Sequence, residues 1–433
     1  MSSESAETSD ADFHPAQQQL TVPDAAQAPT ALGASVAGPH PAASATRLLE
    51  LDAIRGIAAF VVVLFHCWMA MDWPQYSLAE ALAALTTDDT AKYVVLFKLT
   101  PLRIVTAGSA AVGVFFLLSG LVLTLPMLKA RDSYRLFLFK RFLRLYPPFA
   151  ASILLGACLW SMSGVGAKGL SDWFDSSWRD SLSAPLLGGH LLLLGTDSMQ
   201  QINNVMWSLV HEMRISLIFP ALAIVTIAYP RFALVGSFCM VSLVAYPPVF
   251  SWVRWQLLNM GTWWPLATAL DTLHYLLYFV AGILIATKLN SLVALLKQLP
   301  SMVRAVLWIA AAGLLLARFG HVSHVIWAAG AALTVLLSLS SSRAHRFLNR
   351  VDLQWLGKIS YSLYLVHLPI LLFTMHMLAD WKYRNLMLLM IPPLSLVTAQ
   401  LFYMAIEAPS HKLGRRWLAA KRADSAERAT ARS

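Results

Sequence analysis

The stretch LLELDAIRGIAAFVVVLFHCW, residues 48–68, is apolar and long enough to enter a membrane, yet it contains Arg55 and His66. On an α-helix, the eleven steps from Arg55 to His66, of about 100° each, return to within about 20° of the starting direction with a rise of about 16 Å. We therefore expect both side chains on one helix face. Ionisable residues inside a membrane helix are costly and rarely face lipid, so this face predicts a polar interior site. The simpler alternative is an arginine that extends to the membrane surface and an ordinary buried histidine.

Of the 433 residues, 58% are hydrophobic and only 13% are charged, whereas soluble domains carry about 25% charged residues. This composition predicts an all-α, polytopic integral membrane helical bundle whose main surroundings are the lipid bilayer. Cys67, Cys158 and Cys239 all lie in apolar stretches, so neither a disulfide framework nor a zinc site is expected. We expect no metal site and no nucleic-acid partner.

The chain divides into three predicted segments. Residues 1–46 are rich in Ala, Ser, Pro, Gln and Thr without apolar periodicity, which predicts a disordered cytoplasmic tail. They lack a basic segment followed by an apolar core, so no cleavable signal peptide is expected. Residues 47–409 form the predicted membrane domain, and residues 410–433 form a basic cytoplasmic tail.

Apolar run lengths predict about ten transmembrane helices. They cover residues 53–70, 104–128, 147–163, 205–229, 232–250, 272–287, 303–319, 324–340, 359–377 and 386–405. The run LLGGHLLLLG, residues 186–195, is too short to span and is expected to be re-entrant or interfacial. Basic residues concentrate in the segments 129–146, 341–358 and 410–433. By the positive-inside rule these segments are cytoplasmic, so both termini are predicted to lie in the cytoplasm.

With this topology, the face of the first helix runs from the cytoplasmic side at Arg55 toward the outer half of the membrane at His66. Histidine is the usual general base near neutral pH, so His66 is a candidate base for a hydroxyl that attacks an acyl carbonyl. Asp52, the second candidate catalytic residue, lies three residues before Arg55, within its reach on a helix. Asp52 is also the kind of acid that complements a helix N-terminus.

The segment KRFLRLYPP, residues 140–148, places Lys140, Arg141 and Arg144 just before a helix predicted to begin near Pro147. Two interpretations are open for this basic loop. It is either an ordinary positive-inside anchor or a clamp for the phosphates of a cytoplasmic co-substrate, because arginine binds phosphate in a forked geometry.

Further polar positions lie inside or at the ends of apolar spans. Ser119 and Gly120 form a small pair that permits close helix contact, and Glu212, flanked by His211 and Arg214, is expected to be paired or to line a cavity. Glu407 precedes Pro409, which is predicted to end the last helix. His367 is another polar residue inside a predicted span and is a candidate site residue. Four further histidines are expected to be interfacial or packing residues: His274, His321, His324 and His376.

Six of these motifs, in this order, resemble the acyltransferase-3 family of bacterial integral membrane enzymes. They are LDAIRGIAAFVVVLFH, FFLLSG, KRFLRLYP, WSLVHE (which begins at Trp207), GKISYSLYLVHLP and EAP. The resemblance covers roughly residues 48–409. Lys140 departs from it, since the family commonly has arginine there, and the short tail after Pro409 leads us to expect no soluble hydrolase-like domain of the kind fused to some members.

The resemblance implies transfer of an acyl group, most often acetyl, from cytoplasmic acyl-CoA to a hydroxyl of a glycan or lipid-linked saccharide. Acetyl-CoA or another acyl-CoA would be a co-substrate rather than a tightly bound cofactor, and the location would be the bacterial inner membrane. The family's functional residues correspond to His66, Arg55, Arg141 and Arg144. Whether His66 acts as a base or carries the acyl group transiently stays open. The alternative function is a proton-coupled transporter or flippase, which the lack of an internal repeat disfavours.

Overall fold

The computed structural model describes residues 48–71, 78–129, 133–163, 170–179, 181–193, 201–245, 253, 255–256 and 264–430. Every regular element within these ranges is helical, which confirms the all-α prediction. The predicted disordered tail, residues 1–46, lies outside the described residues.

The longer helices are numbered here together with the short ones that connect them. The first ten are α1 (Leu49–Ala70), α2 (Leu78–Ala83), α3 (Asp89–Leu99), α4 (Gly108–Lys129), α5 (Tyr134–Ser163), α6 (Asp172–Asp175), α7 (Ala184–Leu191), α8 (Met206–Ala228), α9 (Pro230–Ala245) and α10 (Trp264–Leu273). The remainder are α11 (Leu276–Thr287), α12 (Leu289–Gln298), α13 (Ser301–Leu316), α14 (Ser323–Ser340), α15 (Ser342–Leu348), α16 (Val351–Met377), α17 (Arg384–Met387), α18 (Ile391–Phe402) and α19 (Ala408–Thr430).

Among the described residues, eight helical segments are long and apolar enough to cross a membrane. Two shorter apolar helices, Pro230–Leu243 and Ser301–Leu316, fall where the fifth and seventh spans were expected. The protein is thus a multi-pass helical membrane protein, while ten spans and cytoplasmic termini stay predictions. The run expected to be too short to span overlaps α7, an eight-residue helix. Burial lowers the pKa of His190 in this helix to about 4.

The prediction of a basic loop before the third span is wrong. α5 begins at Tyr134 and contains Pro147 and Pro148 in its interior, so the KRFLRLY segment is helical. Nothing between Tyr134 and Pro147 breaks a helix, because basic and leucine residues favour it. Membrane helices tolerate interior proline where neighbouring groups satisfy the freed carbonyls.

The prediction that Pro409 ends the last helix is also wrong. A π-helical turn, Tyr403–Glu407, leads directly into α19, which runs to Thr430. Pro409 is the second residue of α19 and directly follows this π-helical turn, so it lies within a continuous helical stretch and not at its end. Glu407 is therefore not a terminal residue of the helical bundle, and its side chain is buried.

Helices α1 and α16 make backbone contact at Gly56 and Gly357. A Cβ atom on Gly56 would lie 2.5 Å from the Gly357 nitrogen, and one on Gly357 would overlap the Asp52 carbonyl oxygen. The two helices run parallel, because Gln354 donates to the Leu49 carbonyl (2.9 Å) near their starts. Only glycine at both positions allows this approach.

A second close crossing joins α4 and α11. A Cβ atom on Gly120 would lie 2.5 Å from the Phe279 carbonyl oxygen, and one on Gly282 would overlap the Leu117 carbonyl oxygen. Gly120 therefore has the helix-contact role that a small residue in a membrane helix predicts. The crossing fixes the position of α4, whose Ser119 belongs to the candidate site.

We predict that Gly357→Ala destabilises the protein by about 1–3 kcal/mol, because its methyl group forces two packed backbones apart. The measurement is the fraction of detergent-solubilised protein that survives heating in size-exclusion chromatography. The matched control is Gly313→Ala in α13, where an added Cβ meets nothing within 4 Å. Equal melting curves for the two variants would contradict the steric role of the crossing.

Candidate active site

A pair of buried histidines lies between α1 and α16. His66 Nδ1 is 3.0 Å from the Val62 carbonyl oxygen and 3.1 Å from His367 Nε2. His367 Nδ1 is in turn 2.9 Å from the Leu363 carbonyl oxygen. The ring of His66 also faces Trp173, with centroids 5.4 Å apart.

These contacts define the tautomers of both rings. A carbonyl oxygen can only accept, so we assign the proton of each ring to Nδ1. His367 Nε2 then has a lone pair, and it accepts from the His66 Nδ1–H that also points at the Val62 carbonyl. His66 Nε2 is left with a lone pair of its own, and it makes no hydrogen bond with any described residue. A neutral histidine in this state is prepared to accept a proton or to attack a carbonyl carbon.

Arginine side chains from two helices meet at an internal cavity, called here the arginine cavity. The volume of this cavity is about 40 Å³, which is room for a few water molecules. Polar groups on its wall come from α1, α4, α5, α8 and α16: Arg55, Ser119, Arg141, Arg144, Ser208, Glu212, Tyr361 and Tyr364.

Glu212 joins three of the motifs at this cavity. Its carboxylate pairs with the Arg141 guanidinium and accepts from Ser119 Oγ (2.5 Å). Arg141 Nε also donates to Ser216 Oγ (3.0 Å). A buried carboxylate and a buried guanidinium thus neutralise each other, as the expectation for Glu212 required. His211 bonds instead to Thr272 Oγ1 (3.0 Å).

Arg55 and Arg144 differ from Arg141. Within the described part of the chain, neither side chain forms a hydrogen bond or an ion pair, although both line the cavity with Arg141. Their donors therefore stay available to an anion that enters the cavity. Forked guanidinium groups bind phosphate oxygens in pairs.

Tyr364 connects the arginine cavity to the histidine pair. Its hydroxyl is 2.7 Å from Ser208 Oγ, and its ring centroid is 6.0 Å from that of His367. Tyr361, one turn earlier, donates to the Leu145 carbonyl (2.7 Å) and holds α16 against α5. One face of α16 therefore runs from the cavity wall to His367.

Other predicted site residues are not on the arginine cavity wall, although Glu407 is close enough to interact electrostatically with Arg55 and Arg144. Asp52 precedes His66 by fourteen residues on one helix, or about 21 Å along its axis, so it does not contact His66. Lys140 is half-buried but is not on the cavity wall. Glu407 accepts from Ser362 Oγ (2.5 Å). Trp207 packs beside Tyr275, with centroids 5.6 Å apart, outside the arginine cavity.

Sequence reasoning missed the partnership of His367 with His66. One signal was present: each histidine follows the glycine of the helix crossing by ten residues, His66 after Gly56 and His367 after Gly357. Two parallel helices that cross at those glycines carry both histidines about 15 Å along the same direction.

The fold and the site define a multi-pass membrane protein with a buried histidine pair and an arginine-lined cavity. Residues 48–406 match the acyltransferase-3 family, described as an acyltransferase domain. The chain belongs to this family and is a membrane acyltransferase, which confirms the resemblance seen in the motifs. No curated protein and no solved structure matches the chain.

We predict that Glu212→Gln destabilises the protein by about 3–5 kcal/mol, because it leaves Arg141 charged and buried without its partner. Thermal unfolding in detergent measures the loss. The double variant Glu212→Gln with Arg141→Met is expected to recover a large part of it, since both charges are gone. If the two single effects simply add in the double variant, the pair is not the source of the stability.

Proposed function

We propose that this protein is an O-acyltransferase that moves an acetyl group from cytoplasmic acetyl-CoA to a saccharide hydroxyl, in the bacterial inner membrane. The observation that carries the proposal is the hydrogen-bonded His66–His367 pair, which leaves His66 Nε2 with a lone pair. Family membership supports acyl transfer, and the arginine cavity supports a donor with phosphate groups.

Arg55 and Arg144 are the proposed ligands of the donor phosphates. In the predicted orientation both lie in the cytoplasmic halves of their helices, toward the side on which acyl-CoA is made. The small volume of the cavity requires its mouth to widen before a CoA phosphate enters. Arg141, already paired with Glu212, supports the wall and adds positive charge without being the main ligand.

The proposed reaction begins when His66 Nε2 takes the proton of an acceptor hydroxyl. The hydroxyl oxygen forms a bond to the thioester carbon, the carbon–sulfur bond breaks, and the departing CoA thiolate receives the proton from His66. In the alternative sequence, His66 Nε2 attacks the thioester carbon, and the carbon–sulfur bond breaks to release the CoA thiolate. The hydroxyl oxygen then bonds to the acyl carbon as the bond from that carbon to Nε2 breaks, and the hydroxyl proton passes to the thiolate. Both sequences need the same tautomer of His66.

His367 is proposed as a positioning residue. Its Nε2 lone pair accepts the His66 Nδ1–H, which holds the His66 ring in orientation and stabilises the positive charge that the ring gains during transfer. A histidine's role at a site is set by the hydrogen bond its second nitrogen makes.

We predict that His66→Ala lowers the rate of acetyl transfer by about 10²–10⁴-fold, the usual contribution of a general base or acid. Transfer of ¹⁴C-acetyl from acetyl-CoA to deacetylated cell-envelope glycan measures it, with variant protein matched to wild type by quantity and melting curve. Glycan acetylation at the wild-type rate would remove His66 from the reaction. A transporter or flippase would instead accumulate saccharide across the membrane without consuming acetyl-CoA.

We predict that His367→Ala lowers kcat by about 10–100-fold with little change in the KM for acetyl-CoA, since it removes a partner of the base rather than a donor contact. His367→Gln, whose side-chain oxygen can accept the His66 Nδ1–H, should recover part of the rate. The acid limb of the pH–rate profile should move in the Ala variant. Equal losses in both variants with an unchanged profile would indicate a purely structural role.

A further inference from the structure

A second, larger cavity lies beside the arginine cavity and is called here the aromatic cavity. Its volume is about 500 Å³, which is within the range of small-ligand sites. Its wall combines aromatic rings with neutral polar groups and one carboxyl group: Trp207, Tyr275, Tyr278, His211, His274 and Asp271. None of the described residues on its wall is a lysine or arginine, so its chemistry differs from that of the arginine cavity.

The aromatic cavity lies where several helices begin. Ser109 is at the start of α4, Trp207 at the start of α8 and His324 at the start of α14. Asp271 and His274 lie just before α11. In the predicted orientation all of these helices begin on the extracytoplasmic side, whereas Arg55 lies near the cytoplasmic end of α1. In this orientation the aromatic cavity lies toward the extracytoplasmic side, and the arginine cavity extends from it toward the cytoplasmic side at Arg55.

A thin wall separates the two cavities. Val112 and Phe116 on α4 line both of them. The neighbouring Phe115 packs on Tyr364, with centroids 5.7 Å apart, and the Tyr364 ring adjoins His367. Phe115 and Tyr364 themselves line the arginine cavity, so the aromatic cavity adjoins the candidate site through Val112 and Phe116.

The polar groups on the wall are held by neighbours and keep further hydrogen-bonding capacity. His211 Nδ1 bonds to Thr272 Oγ1 (3.0 Å), and His324 Nδ1 bonds to the Tyr278 hydroxyl (3.1 Å). The second ring nitrogen of each forms no hydrogen bond with described residues. Flat aromatic faces together with neutral donors and acceptors suit a ligand that has both C–H faces and hydroxyl groups.

We propose that the aromatic cavity binds the acceptor as an uncharged sugar unit with free hydroxyl groups, entering from the extracytoplasmic side. The proposal rests on the proposed function and adds the location and chemical class of the acceptor. Phosphate-bearing donor and neutral acceptor then occupy separate cavities that differ in charge, and Val112 and Phe116 lie between them.

The first test separates acceptor binding from donor binding by kinetics. Asp271→Asn is expected to raise the KM for neutral, alkali-deacetylated envelope oligosaccharide by about tenfold or more, which is the loss of about 1.4 kcal/mol. The KM for acetyl-CoA should stay within about twofold of wild type. Asp380→Asn, the same change at an exposed residue outside the cavity, should behave as wild type. An unchanged acceptor KM in Asp271→Asn, or a raised acetyl-CoA KM, overturns the proposal.

The second test needs no acetyl transfer. Ser109→Cys places a thiol on the cavity wall of protein whose three native cysteines are replaced by alanine, and Ser183→Cys, at an exposed site, is the control. The labelling rate with a membrane-impermeant maleimide is measured with and without the same oligosaccharide. We expect protection of about fivefold at Ser109→Cys, which is the value for a Kd of about 0.5 mM at about 2 mM ligand, and none at Ser183→Cys.

The two tests fail in different ways. If wild-type protein transfers no acetyl group yet the oligosaccharide protects Ser109→Cys, the proposed function is wrong and the saccharide site stands. If transfer proceeds at the wild-type rate under conditions in which Ser109→Cys is not protected, the acceptor binds elsewhere and the site proposal is overturned.

Discussion

The backbone contact between Gly56 of α1 and Gly357 of α16 is the constraint on which the candidate site depends. Because neither residue has a Cβ, two parallel helices approach closely enough for His66 and His367 to share a hydrogen bond about three turns further on. There the two buried imidazole rings are hydrogen-bond partners of each other, and no carboxylate takes part in this bond. The same contact keeps Arg55, one residue before Gly56, against the helices that supply the rest of the arginine cavity.

Electrostatics divide the interior into two chemical environments. Arg55, Arg141 and Arg144 line one cavity that also holds Glu212, so positive charge exceeds negative charge where an anionic donor is proposed to bind. The neighbouring cavity is lined by aromatic rings, histidines and the carboxyl group of Asp271. Buried charge is costly in a membrane, and pairing Arg141 with Glu212 limits that cost while two arginines retain their donors.

Sequence patterns predicted most of the helices, because a membrane span needs a long apolar run, and the ordered motifs predicted the family. The patterns gave wrong helix boundaries where the prediction rested on a short segment of sequence. A basic segment beside prolines suggested a loop, but α5 runs through it, and Pro409 lies within a continuous helical stretch rather than at its end. The partners of Glu212 and His66 come from distant helices, and periodicity within one segment carries no information on which helices pack together. Asp52 is an example: its position three residues before Arg55 made it a candidate site residue, but that spacing does not bring it near His66.

The equal ten-residue separations from Gly56 to His66 and from Gly357 to His367 have a consequence for how such a chain can change in length. Inserting one residue into either interval turns the histidine beyond it by about 100° around the helix axis and raises it by about 1.5 Å. The hydrogen bond would then be lost although every original side chain is still present. Within these two intervals, the number of residues is as much a determinant of the site as their identity, whereas the segments between helices tolerate insertion.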